Sequence, residues 1–445
     1  MNKRSLGWFL FGLGGQLQIV ASLSFTEAFV LASAPFLFLE ERIYMKRNGV
    51  MPFFILSIAM VFGCVVSSIV NHTAPAYVLR GMAVCCLMPC SIVVTHWMLR
   101  KDMSGLKWSF VGGALSGVLC TFVFQKSVEI STVAGYADAA VSGSDIMGGV
   151  NYWIQRLGAF VSLPAAGWYL RCPLMYSVVA PLFMSVFAIS TSVSGRGSAV
   201  RALAAATLVL IGGKNRSSLR NRICKHFWLI IFLGIVGAFS VKQVYQISAS
   251  NGWLGEKARA KYESQTKGDT SLKALLLGGR LEAFCGLLAC VDKPIIGFGP
   301  WAIDYHGYRE EFMRKYANSE DFELYRKNIA HAQARGISTI KMIPCHAVVT
   351  ELWLWYGIFG LIFCLYIFFV MLRYLKDDCW VVPQWFFWLG AAIPGRFWNM
   401  FLNPLTDRVA LCSCVVACLI VRAVRLGRQP LPYDMIEEIE KAEKK

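Results

Sequence analysis

Two apolar runs stand back to back in the first quarter of the chain, about Val50–Val70 and Ala76–Leu99, with only the polar turn Asn71–Pro75 between them. Each matches the roughly 20 residues needed to cross about 30 Å of hydrocarbon. In lipid a backbone must satisfy its own polar groups, so runs of this kind commit to helix. The pattern recurs, and twelve segments can be read. They lie at about Leu6–Leu23, Phe25–Leu39, Val50–Val70, Ala76–Leu99, Trp108–Lys126, Tyr152–Leu170, Leu174–Ser190, Ala199–Ile211 and Phe227–Val244, then from near His346 to Arg373, Val382–Met400 and Leu405–Val424. Arg156 and Pro164 interrupt the sixth. No small-residue cleavage site follows the first, which reads as a retained anchor. A 56% hydrophobic fraction, 16% charged residues and a mean hydropathy of +0.51 fit the same class. The expected fold is all-α, a polytopic transmembrane helix bundle of about 12 helices with one large, mainly helical loop domain outside the membrane.

Charge orients this bundle. The formal net charge is +17, a value that raises the question of nucleic acid. The basic residues are instead scattered among short connectors: Glu40–Gly49, then Arg100, Lys101 and Lys107, then Gly212–His226, and finally Arg422, Arg425 and Arg428. Cytoplasmic loops of membrane proteins carry such an excess, so the charge is a topology signal and no nucleic-acid partner is expected. Ser127–Asn151 holds Glu129, Asp138 and Asp145 without Lys or Arg, and belongs outside. Both termini then fall in the cytoplasm. The organisation is an N-terminal bundle over 1–245, an extracytoplasmic loop over 246–345, C-terminal helices over 346–428 and a short tail over 429–445.

Within the long loop, Leu281, Phe284, Leu287 and Leu288 are spaced to line one side of a helix that Pro294 ends. Gly297-Phe298-Gly299-Pro300 reads as a sharp turn, and Glu310–Ile329 as an amphipathic helix over the membrane mouth. Most of the fifteen cysteines sit inside apolar runs, where they act as small packing residues rather than zinc ligands or disulfide partners.

Ionisable groups in or near lipid are costly and concentrate at functional sites. On this topology Arg80, Arg156, Arg196 and Arg280 occupy the outer half of the membrane or the space above it. Facing one cavity, they would hold a pyrophosphate through charge-assisted, bidentate bonds. Snorkelling to headgroups is the competing reading for Arg80 and Arg156. Arg196 stands between Gly195 and Gly197, where the chain can approach a ligand closely. The glycine pair at Gly297 lacks the third glycine and the preceding strand of a dinucleotide site. His72 and His96 read as interfacial, and His306 and His331 as loop-surface residues. His346 differs: it follows Pro344-Cys345 at the outer start of an apolar helix, where an imidazole near arginines is biased toward the neutral, proton-accepting form. Such a base would act in concert with attack of a hydroxyl on an activated sugar.

These segments resemble the bacterial O-antigen ligase and O-antigen polymerase superfamily. TSVSGRGSAVRALAAATLVL is similar to the family's Ser-Arg-Gly turn before an apolar helix. GGRLEAFCGLLACVDKPIIGFGPWAID resembles its Arg-Leu, helix and Pro-apolar-apolar-Gly-x-Gly pattern, and PCHAVVTELWLWYGIFGLIF its His-Asn return into the membrane. Ala347 stands where the family usually has Asn, and Gly195 interrupts the Ser-Arg pair. The resemblance implies a metal-independent, inverting transferase without a cofactor, its donor a glycan on undecaprenyl diphosphate and its acceptor a glycan or lipid A-core hydroxyl at the outer face of the inner membrane. It implies Arg196 and Arg280 on the diphosphate and His346 as catalytic base. Arg80 and Arg156 join them only on the reading of charge given above, and Glu351, little more than one turn beyond His346, is placed by that spacing near the acceptor or paired with an arginine. No metal ligands are implied. The partners it implies are membrane lipids and other polysaccharide-assembly proteins. Ligase, polymerase and protein O-oligosaccharyltransferase share these motifs, and a flippase for the lipid-linked glycan is the alternative from another class.

Overall fold

The computed structural model describes mainly residues 3–15, 23–102, 281–316, 347–379 and 408–430, with 18–20, 342–345 and isolated positions elsewhere. Among these the chain is mostly helical, and three helices are long and apolar enough to cross a membrane: Met51–Val70, Pro75–Lys101 and Ile358–Asp378. The bounds of the first two fall within a residue or two of those expected.

The N-terminal segment differs from expectation. Helix α1 (Lys3–Leu13) stops at Gly14-Gly15, and an antiparallel pair of very short strands, β1 (Gln18–Val20) and β2 (Leu23–Ser24), turns the chain before α2 (Phe25–Arg47). Eleven residues at 1.5 Å each reach only about half way across hydrocarbon. Ser24 then opens α2 with a reciprocal cap. Its hydroxyl accepts from the Glu27 amide at 3.2 Å, while the Glu27 carboxylate accepts from the Ser24 amide at 3.0 Å.

Helix α2 runs on through Arg47 rather than ending near Leu39. Tight turns then join it to α3 (Met51–Val70) and α4 (Pro75–Lys101). Further along come α5 (Leu281–Asp292), α6 (Tyr308–Tyr316), α7 (Val348–Tyr356), α8 (Ile358–Arg373) and α9 (Arg408–Arg425). A π-helical turn, Tyr374–Asp378, extends α8.

Helix α4 is the centre, packed against α2, α3 and α9. Its buried face includes Val84, Cys85, Met88, Ile92 and Thr95. Thr95 Oγ1 lies 3.2 Å from Ser413 Oγ, and Cys412 Sγ lies 3.4 Å from Met88 Sδ. The twelve described cysteines are all free, and most are buried, as packing residues would be. Contacts at the helix ends fix their relative directions. Glu27 meets Arg408 at one end of α2 and α9, and Asn48 meets Gln429 at the other. Glu41 meets Arg100, and Asp378 meets Arg425 at 2.7 Å. Phe53 stacks on Phe363 while Phe62 touches Phe359. Helices α2, α4, α8 and α9 therefore run one way and α3 runs against them.

The segment expected as one helix from near His346 to Arg373 is two. Gly357 (φ +61°, ψ −145°) reverses the chain between α7 and α8, and a Cβ on Gly360 would collide with the Leu352 carbonyl. Helix α8 thus packs back along α7. Only glycine tolerates both the dihedral angles and the approach.

One histidine is also relocated. His96 is fully buried, its Nδ1 2.7 Å from Glu41 Oε2 and its Nε2 3.1 Å from Asn48 Nδ2. Arg100 completes this cluster with bonds to Glu41 and Glu40, its guanidinium 3.8 Å from the Tyr44 ring centroid.

Candidate active site

The end of the bundle away from this cluster is built on one loop. Helix α5 packs through small residues, Cys285, Gly286, Ala289 and Cys290, all buried. The expected face was partly different: Leu287 is exposed, because the neighbouring backbone comes too close for leucine on the packed side. At Gly286 a Cβ would sit 2.8 Å from Pro344 O and 3.2 Å from Cys345 Cβ. Cys290 Sγ donates to Thr350 O at 3.5 Å, and desolvation raises this thiol to about 12.

Past Pro294, a set of glycines lets the chain knot into the α7–α8 reversal. Ile358 N donates to Ile295 O at 2.9 Å, Phe298 N to Leu354 O at 2.7 Å, and the Trp353 indole to Pro294 O at 2.8 Å. Gly297 (φ +75°) leaves only 2.6 Å between a would-be Cβ and Leu354 O; Gly299 (φ +85°) leaves 2.7 Å to Thr73 Oγ1. The sharp turn expected at Gly297–Pro300 is present. Asn71, at the end of α3, donates to Gly297 O at 3.0 Å and accepts from Lys293 Nζ at 2.7 Å, while Lys293 also lies 4.6 Å from the Phe298 ring centroid.

The loop ends on Trp301, which has φ +52°, a conformation rare for so bulky a residue. Its ring is buried against Trp355 with centroids 4.4 Å apart, and Arg80 Cζ lies 5.0 Å from its centroid. Gly81, next to Arg80, abuts Pro300. Arg80 is thus brought to this site, its outer side exposed and its inner side on an indole face.

Beyond Trp301, Ile343 N donates to Ala302 O at 2.9 Å, returning the loop toward α7. Asp304 accepts from the Tyr308 and Arg309 amides and so opens α6, and Tyr308 Oη donates to Asp292 Oδ2 at 2.7 Å. Burial first, and then the nearby Asp292 carboxylate, push the Tyr308 phenol well above its ordinary range. Helix α6 begins two residues before the expected Glu310, and its Phe312 is buried against Phe284.

Of the residues singled out in the sequence, Arg80 and Glu351 are described. Glu351 is 3% exposed in the first turn of α7, within electrostatic range of Tyr356 and Cys364. Arg156, Arg196, Arg280 and His346 lie outside the described residues. The segments flanking two of them are nonetheless adjacent: α5 begins directly after Arg280, and its Gly286 touches Pro344 and Cys345, directly before His346. Trp301, Lys293 and Asn71 were missed. The Gly-Pro-Trp order hinted at the first, but the lysine–asparagine pair joins distant parts of the chain and left no local pattern. No protein-family profile matches the chain, and no curated protein matches it.

Proposed function

We propose that this chain is a membrane-embedded glycosyltransferase of the O-antigen ligase or polymerase type. It would move a glycan from undecaprenyl diphosphate to a hydroxyl at the outer face of a bacterial inner membrane. The observation that supports this reading best is the contact of α5 with the residues before His346. It sets the helix that follows Arg280 against the segment that leads into His346, as a site drawing one cation and one base from these two segments would require.

In this reading about 12 helices cross the membrane, both termini are cytoplasmic, and the long loop is extracytoplasmic. His346 accepts the acceptor hydroxyl proton as its oxygen attacks the anomeric carbon. The bond from that carbon to the diphosphate oxygen breaks, with inversion. Arg196 and Arg280 take the charge that develops on the leaving diphosphate, a role that rewards cations already held in place. Arg80, set against Trp301, extends the cationic rim together with Arg156 in this reading. Neither metal nor cofactor is needed. Glu351 acts through α7, because its burial suits positioning better than contact with a sugar.

A lipid-linked glycan flippase is the second reading, and one observation favours it. The α7–α8 reversal at Gly357 is a discontinuous helix of the kind on which transporters build sites. Reconstitution separates the two. The purified chain in vesicles with a polyprenyl-diphosphate-linked oligosaccharide and a glycan acceptor should form a new glycosidic bond. His346→Ala and Arg280→Ala should abolish product while leaving the melting profile intact. Full product from either variant would remove the catalytic assignment, and translocation of donor without any product would establish the flippase.

A further inference from the structure

Helix α5 is covered on two sides and bare on a third. Its small residues face the chain before α7, and Phe284 stacks on Phe312 of α6 with ring centroids 6.3 Å apart. The bare side carries Leu287, Val291 (62% exposed) and, one turn beyond the helix end, Ile295 (69%) with Ile296. Residues 287, 291 and 295 follow one another at helical spacing and form one ridge, since the Gly297 amide still reaches Lys293 O at 2.9 Å. The charges beside the ridge are engaged away from it: Asp292 accepts from Tyr308, and Lys293 donates to Asn71.

The ridge runs into a candidate membrane span. Ile295 O accepts directly from Ile358 N, the first residue of a helix long and apolar enough to span a bilayer. The exposed face of that helix continues with Ile362, Leu365 and Phe369 (60% exposed), and Phe62 of α3 stands beside it through Phe359. Trp353, half-buried at the junction with its indole NH on Pro294 O, has the amphipathic placement of aromatics at membrane–water boundaries.

We propose that Leu287, Val291, Ile295 and Ile296 are inserted into the bilayer at the headgroup–acyl boundary, with lipid acyl chains as their partner. The segment after Arg280 is then a monotopic anchor rather than a free loop, and it holds Trp301 and Arg80 at a set height above the lipid. Continuity with the exposed apolar face of α8, a helix long and apolar enough to cross a membrane, favours lipid over a second copy of the chain. The inference stands apart from the proposed transfer reaction.

A photoreactive amino acid placed singly at Val291, Ile295, Phe369 or Tyr305 of the full chain in native membranes tests it, with adducts read by mass spectrometry. Tyr305, 75% exposed between Asp304 and His306, is the water-side control, and Phe369 the lipid-side control. Lipid adducts at Val291 and Ile295 in yields comparable to Phe369, and lost at Tyr305, are expected. The idea is overturned if Val291 and Ile295 give no lipid adduct while Phe369 does, or if Ile295 cross-links to a second copy or another protein instead.

Discussion

Gly357 carries more of the architecture than any neighbouring side chain. Its dihedral angles belong to a region reserved for glycine, and a Cβ there would strike the Ile295 carbonyl. Gly357→Ala should therefore cost about 3 kcal/mol or more, from strain together with loss of the Ile358–Ile295 hydrogen bond. A melting curve in detergent, with Gly49→Ala as a positive-φ control in open space, checks this; equal shifts for both would mean that packing at Gly357 contributes nothing. Residues at this scale divide by how they could be read. Pro294 and Gly297 announce a stop and a turn through their own chemistry. His96 could not be read in this way, because its partners Glu41 and Asn48 are distant in the chain and a buried histidine has no local mark.

At the scale of elements, the cluster of Glu41, His96, Arg100 and Asn48 ties α2 to α4 and, through Gln429, to the end of α9. Burial alone pushes the Glu41 carboxyl up. The hydrogen bonds and charges of His96 and Arg100 outweigh this and hold it below the ordinary carboxylate range. A depressed carboxylate stabilises the fold at pH above its unfolded value and ceases to do so as pH falls through its folded one. Stability should therefore fall on acidification below pH of about 4. Glu41→Gln should lower it at neutral pH by about 3 kcal/mol, since Arg100 then loses its buried partner, and should flatten the acid dependence. Unchanged melting at pH 7 in that variant would contradict this role. Helices α3 and α4 were legible almost to the residue because length and hydropathy decide them. The α7–α8 reversal was not, since Tyr356-Gly357-Ile358 lies within one unbroken apolar run. The packed face of α5 was not legible for a related reason: close approach of Pro344 and Cys345 selects small residues over leucines.

Across the whole molecule, the C-terminal ends of α2, α4, α8 and α9 gather on one side with Lys46, Arg47, Arg100, Lys101, Arg373, Arg422 and Arg425. On the other side stand Asn71, the Gly297–Trp301 turn and Arg80. Epitopes inserted at Gly49 and after Arg428 should therefore be reached by an impermeant probe from the same face, and one inserted at Ala74 only from the opposite face. Accessibility of Gly49 and Ala74 from one face would contradict the helix directions. By itself the sequence determined that the chain holds helices long and apolar enough to cross a membrane, the positions of α3 and α4, and the basic residues gathered at helix ends. Each of those follows from hydropathy and charge summed over a local window. Only the tertiary structure decided that α8 folds back on α7, that His96 is enclosed with Glu41, and that the stretch after Arg280 docks beside the residues preceding His346. The first and last of these depend on how closely backbones far apart in the chain can approach, a property held jointly by Gly286, Gly297, Gly357 and the carbonyls they meet, and the second on side chains that only the packing of α2 against α4 brings together.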